Sequence, residues 1–343
     1  MATVKGRKMK PDRTKIAFIF SSCSSQYLDM GRRVRRAFPE VEKNLQVINK
    51  TLGYNLASAM KAPNKLLLPK AGSPSSTLHS MEVIVALSLA VARSLSEAGI
   101  KPDVVAGNSL GEFSAAVFAK VFGVPECFSM FQTVTLPYLQ DCFKNPRARA
   151  ATIYGLSRVE LKGVSAGMAK SGQICEMSIF FDRLRKGVLG LRNEGANMLK
   201  CRLTPFNHKI KISGGILGAL HTSLSAHLVD WTRNFFTDIA FHSPTAPLYM
   251  NLDGNPETAP AAIKHKLASM LSRPVLWQES LNRMIADGVT TFVEIAPRAM
   301  LTEFICDLPP DAEVLRTDTP ENYFRTLDSL LNKRPLKRHR PIN

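Results

Sequence analysis

The amino-terminal third of the chain alternates short apolar runs with longer amphipathic stretches. Residues 16–20 (IAFIF) are of the buried-strand type and lead into a small polar loop at 21–25. Apolar positions recur near helical spacing between 27 and 60, which predicts amphipathic helices there. A longer apolar helix is predicted over 81–98 and ends at Gly99.

A second strand, turn and helix follow directly. Residues 103–106 (DVVA) form another predicted buried strand, 107–111 a sharp turn, and 112–120 a helix. Strands separated by helices predict a parallel sheet with helices on both faces. Ligands on such sheets bind beyond the carboxyl ends of the strands, where both the 21–25 loop and the 107–111 turn would lie.

The character of the chain changes in its middle. Short strand-like runs there alternate with modestly amphipathic helices, which predicts a smaller subdomain inserted over 148–218. We therefore predict a large α/β domain formed by 14–147 and 219–332, with this subdomain between its two parts. The strand-like runs are 151–154, 174–181 and 210–212 in the insertion, and 247–250 and 291–295 where the main sheet resumes.

The chain is strongly basic, with 45 Lys and Arg against 28 Asp and Glu and a formal net charge of +17. Part of the excess lies in two predicted tails, 1–13 and 333–343, and such charge runs are usually solvated. The excess on the folded body favours an acidic partner. No zinc spacing, aromatic RNA-binding motif or heptad array accompanies the charge, so we expect no nucleic-acid partner.

The cysteines and the apolar stretches indicate the cellular compartment. The six cysteines are scattered without a C-x-x-C pair, which favours a reducing cytoplasm and suggests no metal site. The first residues lack the apolar core of a signal peptide. The most apolar stretch, 83–92, is too short to span a bilayer and runs into Arg93 and Glu97. We expect a cytoplasmic monomer without a membrane partner.

The turn at 107–111 reads Gly-Asn-Ser-Leu-Gly, a G-x-S-x-G pattern between a predicted strand and a helix. In this context the strained turn lifts the serine hydroxyl out of the sheet, and the glycines allow close approach. The N–H of Leu110, at the start of the helix, can point at the oxygen that becomes negative during attack. These features predict Ser109 as a nucleophile; the alternative is an ordinary helix-capping serine.

The longer run 107–115 (GNSLGEFSA) resembles the GHSLGE signature of malonyl-CoA:acyl-carrier-protein transacylases and polyketide-synthase acyltransferase domains. The resemblance extends in the same order over nearly the whole chain. It implies an α/β-hydrolase-like large domain with a parallel sheet and an inserted ferredoxin-like subdomain. The other matching segments are 20–26 (FSSCSSQ), 241–247 (FHSPTAP) with Asn251, 273–277 (RPVLW) and 294–297 (EIAP).

The resemblance also implies ping-pong acyl transfer. The serine takes an acyl group from one thioester, and the thiol of a second carrier removes it. The thioester is carried by coenzyme A or by the phosphopantetheine arm of an acyl carrier protein, and no cofactor is bound permanently. Carrier proteins are typically acidic, which suits the basic charge of this chain.

A serine hydroxyl needs a neighbouring base, and histidine titrates in the useful range. His242 lies in a segment that imitates the family's motif around its catalytic histidine. Pro244 and Pro247 follow at once, however, and leave no room for the helix that comes after that histidine in the family. His221 does precede a plausible helix, over 223–237. We predict His221 as the base, with His242 as the alternative.

Further site residues follow from the resemblance. The backbone carbonyl of Met270 is expected to orient the histidine, and the N–H of Cys23 to be the oxyanion donor beside Leu110. His79 stands where the family usually has a pocket glutamine, although we interpret it as structural. The acyl-pocket positions are Asn108, Val134 and His79.

Val134 is the main departure from the family's pattern. Its malonyl members hold the substrate carboxylate with an arginine at this position, and a valine cannot replace that bidentate pair. A carboxylate buried against valine would cost several kcal/mol. We therefore predict an uncharged, non-malonyl acyl group. Milder departures at Ser22, Ser24, Asn108 and 181–183 indicate a specialised pocket.

Our leading hypothesis is a freestanding acyltransferase that moves a non-malonyl acyl group between thioester carriers in polyketide or related biosynthesis. An acyl-thioester hydrolase that removes stalled acyl groups from carrier proteins fits the missing arginine equally. Two other hypotheses are a patatin-like lipase that pairs Ser109 with Asp253, and a non-catalytic module that binds carriers.

Overall fold

A computed structural model describes most of the chain and shows two sheets, each built from its own segment. The basic tails predicted at 1–13 and 333–343 lie outside the described residues. The description covers 14–332 apart from 28, 57–72, 205–208, 213–216, 306–307 and 311.

The larger sheet is parallel except for its last strand, which runs antiparallel to its neighbour. Phe20 lies opposite both Gly107 and Ile295, so three central strands end together at one edge. The loops that carry the predicted site leave from this edge. The strands in spatial order are β10 (Glu313–Arg316), β9 (Val289–Ile295), β1 (Lys15–Phe20), β2 (Val104–Gly107), β7 (Leu248–Tyr249) and β8 (Pro256–Glu257).

Helices cover both faces of the large sheet, because alternate residues of β1 pack into two different apolar clusters. The helices are α1 (Arg32–Ala37), α2 (Pro39–Leu52), α3 (Pro74–Glu97), α4 (Leu110–Phe118), α5 (Val124–Met130), α6 (Leu136–Lys144), α7 (Arg158–Lys170), α8 (Gly195–Leu203), α9 (Ala226–Thr237), α10 (Pro260–Ser269), α11 (Trp277–Ala286) and α12 (Pro320–Asn332). Short 3₁₀ turns at Cys23–Ser25, Ser223–Ser225, Met270–Ser272 and Leu301–Phe304 join some of these elements.

Helix α3 packs within the core. It begins at Pro74 rather than at 81, because the Ser73 side chain accepts the Ser76 N–H at 3.2 Å and proline suits the first turn. Among the described residues it is the one helix long and apolar enough to cross a membrane, but 89% of its most apolar 18-residue stretch is buried inside the protein. Its apolar surface therefore belongs to the core of the large sheet.

The second sheet is antiparallel and lies within the segment predicted as the inserted subdomain. Its spatial order is β4 (Cys175–Phe181), β5 (Lys186–Arg192), β3 (Ala148–Tyr154) and β6 (Ile210–Ile212). With α7 and α8 the chain order is β-α-β-β-α-β, as in a ferredoxin-like fold. One face packs on α7 and α8 through an apolar cluster. The opposite face is turned toward the predicted site.

Strand β5 is absent from the sequence prediction, and β3 begins at Ala148 rather than at 151. The omission has a physical reason, since Lys186, Gly187 and Gly190 are poor strand formers. Pairing on both sides, with β3 and with β4, holds β5 extended in spite of its composition.

Candidate active site

Ser109 lies in a tight turn between β2 and α4, at the edge where the central strands end. Its φ of +54° is in the left-handed region, which indicates backbone strain for a serine. The turn also packs closely against its surroundings. A Cβ on Gly107 would lie 2.0 Å from the Gly111 backbone, and a Cβ on Gly111 would lie 2.0 Å from the Phe20 carbonyl oxygen. Only glycine fits at either position.

His221 is in hydrogen-bonding contact with the serine. Its Nε2 lies 2.7 Å from Ser109 Oγ, and its Nδ1 lies 2.8 Å from the carbonyl oxygen of Met270. A carbonyl can only accept, so Nδ1 carries the proton and Nε2 is free to accept the serine O–H. The backbone N–H of His221 donates to Leu271 O at 2.8 Å, so both the backbone and the ring of His221 are bonded to the 3₁₀ turn Met270–Ser272.

The charge state of His221 suits a base. The side chain is buried, and burial lowers the pKa of the imidazole below its ordinary value, while the hydrogen bond to Met270 opposes the shift. The neutral form therefore predominates at pH 7. The arrangement can remove a proton from Ser109, and these catalytic roles stay predictions.

Two backbone N–H groups are placed near the serine at helix starts. Leu110 is the first residue of α4, and Cys23 is the first residue of the turn that follows β1. The N–H groups of a first helical turn have no intrahelical partner. Both residues line the same pocket as Ser109. Burial raises the pKa of the Cys23 thiol to about 12, so this thiol is neutral and no competing nucleophile.

Asn251 holds the turn in place. Its Oδ1 accepts the Ser109 N–H at 2.7 Å, and its Nδ2 donates to Gly107 O at 2.5 Å. Its own N–H donates to Glu112 Oε1 at 2.6 Å. Glu112 is fully buried, and this burial raises its pKa to about 8. The carboxyl is therefore largely protonated at pH 7.

Glu294 has a similar anchoring role at the end of β9. Its carboxylate accepts the Ser21 hydroxyl at 2.6 Å and the backbone N–H groups of Met300, Leu301 and Thr302 at 2.6 to 2.8 Å. It thereby fixes the loop after β1 and the loop after β9 together. The sequence prediction includes Asn251 and Glu294 in matching segments but assigns them no role.

Two cavities meet at Ser109 and His221. The first, which we call the apolar pocket, has an empty volume of about 580 Å³ including the part open to solvent. Among the residues described as lining it there is no Asp, Glu, Lys or Arg. Its lining includes Met81, Phe113, Met130, Phe131, Val134, Leu139, Leu228 and Thr232.

Val134 reaches the apolar pocket from an unusual turn of helix. Residues Phe131–Thr135 form a π turn between α5 and α6, in which the Leu136 N–H bonds to Phe131 O. Pro137 follows and has no N–H to continue a regular α-helical ladder. Such π turns are frequent at functional sites. Val134 is 4% exposed, so its side chain is a wall of the pocket.

The second cavity, which we call the cleft, lies between the two sheets and has an empty volume of about 1180 Å³ including open solvent. Asn108 lines it beside Ser109, and Asn108 Nδ2 is buried without a partner among the described residues. The cleft has about twice the empty volume of the apolar pocket. It therefore offers the route by which a large substrate can approach the serine.

Some sequence-predicted residues lie elsewhere. His79 is not among the described residues that line either cavity; its Nδ1 lies 3.2 Å from Glu82 Oε2, which agrees with its structural interpretation. Asp253 forms an ion pair with Lys266 at 2.8 Å instead of approaching the serine. The imidazole that contacts Ser109 belongs to His221 and not to His242.

Comparison with known proteins agrees with this architecture. The malonyl CoA-acyl carrier protein transacylase of Bacillus subtilis (strain 168) is 25% identical over 325 residues, which cover 92% of this chain and 98% of the relative. The solved structure of the transacylase from Coxiella burnetii superposes with a TM-score of 0.81 at 22% identity, covering 92% of this chain and 98% of that one. No family model matches the chain.

A second similar structure is the malonyl-transacylase in a complex with its type II polyketide-synthase acyl-carrier protein. Its TM-score is 0.81 at 23% identity, with 93% of this chain and 100% of that chain covered. The predicted α/β fold class, with a parallel core and a small antiparallel sheet, is confirmed. Fold and sequence relationship together define the chain as an acyltransferase. The resemblance predicted from its motifs is also confirmed, because the homologues and structural neighbours of the chain are malonyl CoA-acyl carrier protein transacylases.

Proposed function

We propose that the chain transfers an uncharged, non-malonyl acyl group between thioester carriers through an ester on Ser109. The observation that carries the proposal is a hydrogen-bonded Ser109–His221 pair that opens onto an apolar pocket with Val134 in its wall. The pair supplies nucleophile and base. The pocket supplies a place for a hydrocarbon chain, because burying apolar surface is favourable and burying a free charge is costly.

The first half-reaction follows from the hydrogen bonds. Nε2 of His221 accepts the Ser109 hydroxyl proton as Oγ attacks the thioester carbonyl carbon. The carbonyl oxygen becomes negative, and the N–H groups of Leu110 and Cys23 are the proposed donors to it. The carbon–sulfur bond then breaks, and the departing thiolate takes the proton from His221. The products are an acyl-serine and a free thiol.

The second half-reaction is the reverse with another carrier. A thiol in the cleft gives its proton to His221 Nε2 and attacks the ester carbon, and Ser109 Oγ leaves with that proton. The Met270 carbonyl keeps the imidazole in one tautomer through both halves. A serine ester that meets water instead of a thiol would release free acid, which is the hydrolase alternative.

We infer that the carriers are coenzyme A and an acidic acyl carrier protein, and that the chain acts as a cytoplasmic monomer. The similar structure in complex with an acyl-carrier protein supports this partner class. The net charge of +17 supports it too, because complementary charge speeds encounter. The two tails hold only ten of the 45 Lys and Arg, so most of the positive charge lies on the remainder of the chain.

The test is acylation of the purified protein by a panel of acyl-CoA and acyl-carrier thioesters, followed by intact mass spectrometry. We expect one acyl adduct, lost in Ser109→Ala, and transfer of the acyl group to a second carrier. Ser114→Ala, which changes a buried serine on the following helix, is the matched control and should keep the adduct. Free acid without transfer would identify a hydrolase. No adduct with any donor would refute acyl transfer and leave carrier binding.

A further inference from the structure

The cleft contains a single charged side chain among the described residues that line it, Lys186 at the start of β5. Its Nζ lies 5.4 Å from the ring centroid of Phe181, 5.7 Å from that of Phe304 and 5.9 Å from that of Tyr154. Phe181 and Phe304 stack on each other at 3.9 Å. The ammonium is therefore held by aromatic rings at one place in the cleft wall.

This ammonium is short of counter-charge. No carboxylate of the described residues forms an ion pair with Lys186, although Glu303 acts on it from a greater distance. Burial lowers its pKa, and the positive charge of Lys211 adds to that effect. A half-buried cation without a carboxylate counter-ion attracts an anion more strongly than an exposed one, because less water screens it.

The distance from Lys186 to the reactive pair can be estimated along β5. Four residues further along that strand, a Cβ on Gly190 would lie 2.6 Å from the side chain of Thr222, the residue directly after His221. Lys186, Val188 and Gly190 alternate onto the same face of the sheet. Four residues of extended strand span about 13 Å, so Lys186 lies roughly that far from the neighbourhood of His221.

A thioester arm of the kind inferred above matches this span. About thirteen covalent bonds separate the sulfur from the phosphorus of a pantetheine arm, and an extended chain with that many bonds reaches roughly 15 Å. With the sulfur at Ser109 and the arm along this face, the phosphate arrives near Lys186. Thr152 lines the cleft between these ends and is a polar neighbour for the arm's amides.

We propose that Lys186 is the binding site for the phosphate that joins the pantetheine arm to its carrier. The proposal rests on the proposed function, since it assumes a pantetheine thioester at Ser109. The shared chemistry is a phosphate ester, which occurs as a phosphodiester on a carrier protein and as a pyrophosphate in coenzyme A. Lys186 is thus a specificity residue for the carrier end of the substrate.

The test compares donors that have or lack the phosphate. Acyl-CoA and acyl-carrier protein have it, whereas acyl-pantetheine has the same arm ending in a hydroxyl. We expect Lys186→Met to raise KM for both phosphate donors by about 10- to 100-fold. KM for acyl-pantetheine should stay within about twofold, and Lys186→Arg should retain most of the phosphate effect. The matched control is Lys200→Met on α8, which removes the same charge from the far face of the small sheet.

A second readout is independent of turnover. In a Ser109→Ala background, calorimetric binding of free coenzyme A should weaken with Lys186→Met and not with Lys200→Met. An effect confined to acyl-CoA or to acyl-carrier protein would support the site and identify which phosphate it serves. Equal losses with acyl-pantetheine would show a structural role and overturn the proposal, as would unchanged KM for every donor. Acyl-pantetheine loading of the unmodified protein tests the proposed function separately, because it needs no phosphate.

Discussion

Replacing Val134 with arginine tests which property of the apolar pocket selects the acyl group. Val134 is nearly fully buried, in a wall that the described residues build without Lys or Arg. A malonyl ester on Ser109 would carry its carboxylate one methylene beyond the ester carbonyl, within the apolar pocket. His221 offers little compensation, since its one proton is donated to Met270.

The size of the effect follows from the missing partner. A buried charge left without its partner costs about 3 to 5 kcal/mol, more than a surface pair could recover. At 1.4 kcal/mol for each factor of ten, the unmodified protein should load malonyl more slowly than butyryl, an uncharged acyl group of similar size, by roughly 100- to 4,000-fold. Val134→Arg should recover most of that difference through a bidentate pair. It should also slow butyryl loading, because the guanidinium then lies unpaired in the pocket.

The assay is single-turnover acylation of Ser109 with malonyl-CoA or butyryl-CoA, followed by intact mass. Val134→Met is the control, since it lengthens the side chain without adding charge. It should leave the preference for butyryl in place. The reasoning would be refuted if the unmodified protein loaded the two groups at similar rates, or if Val134→Met improved malonyl loading as much as arginine does.

Two further predictions concern stability. Thr232 is fully buried on α9 with no hydrogen-bond partner for its hydroxyl among the described residues. Thr232→Val should therefore raise the free energy of unfolding by about 1 kcal/mol. Thr326→Val removes a hydroxyl that donates to Arg316 O at 2.7 Å, and it should lower the free energy of unfolding by about 1 to 3 kcal/mol. Urea titration measures both, and a loss for Thr232→Val as large as that for Thr326→Val would contradict the assignment. The pKa of Glu112 is about 8 in the folded protein against an ordinary 4.5. Its contribution to the free energy of unfolding is therefore fully present below pH 4.5 and is lost as the pH rises toward 8. Glu112→Gln should flatten that part of the pH profile of unfolding, and an unchanged profile would show that the carboxyl is not protonated in the folded protein.

The parts of the site that are local in sequence were predictable. Ser109 is marked by a short sequence pattern between a strand and a helix. The flanking glycines predict the tight turn, because only glycine allows the backbone to pack this closely. His221 required more, namely the order of elements after it, because a motif-like neighbour at His242 competes. The structure brings His221 and Ser109 together across 112 positions of sequence.

The remaining parts depend on contacts that no local pattern carries. Asn251 bonds to the serine turn and Glu294 gathers two loops, and both are long-range bonds. Strand β5 forms because its neighbours pair with it, against the preference of its own glycines. His79 is the opposite case. The resemblance to the family placed this side chain in the acyl pocket, but its Nδ1 lies beside the carboxyl of Glu82, one helical turn away on α3.

Val134 and Lys186 together determine where positive charge lies along the proposed substrate path. A cation in the apolar pocket would select charged acyl groups, and a cation at the cleft wall would select phosphorylated carriers. This chain has the second and lacks the first among its described lining residues. Recognition by charge is then confined to the part of the donor that every carrier shares, while the acyl end is sorted by apolar fit. Because one methylene in an apolar pocket changes discrimination by only about 1 to 3 kcal/mol, such an enzyme should accept neighbouring chain lengths and reject charged ones far more strongly.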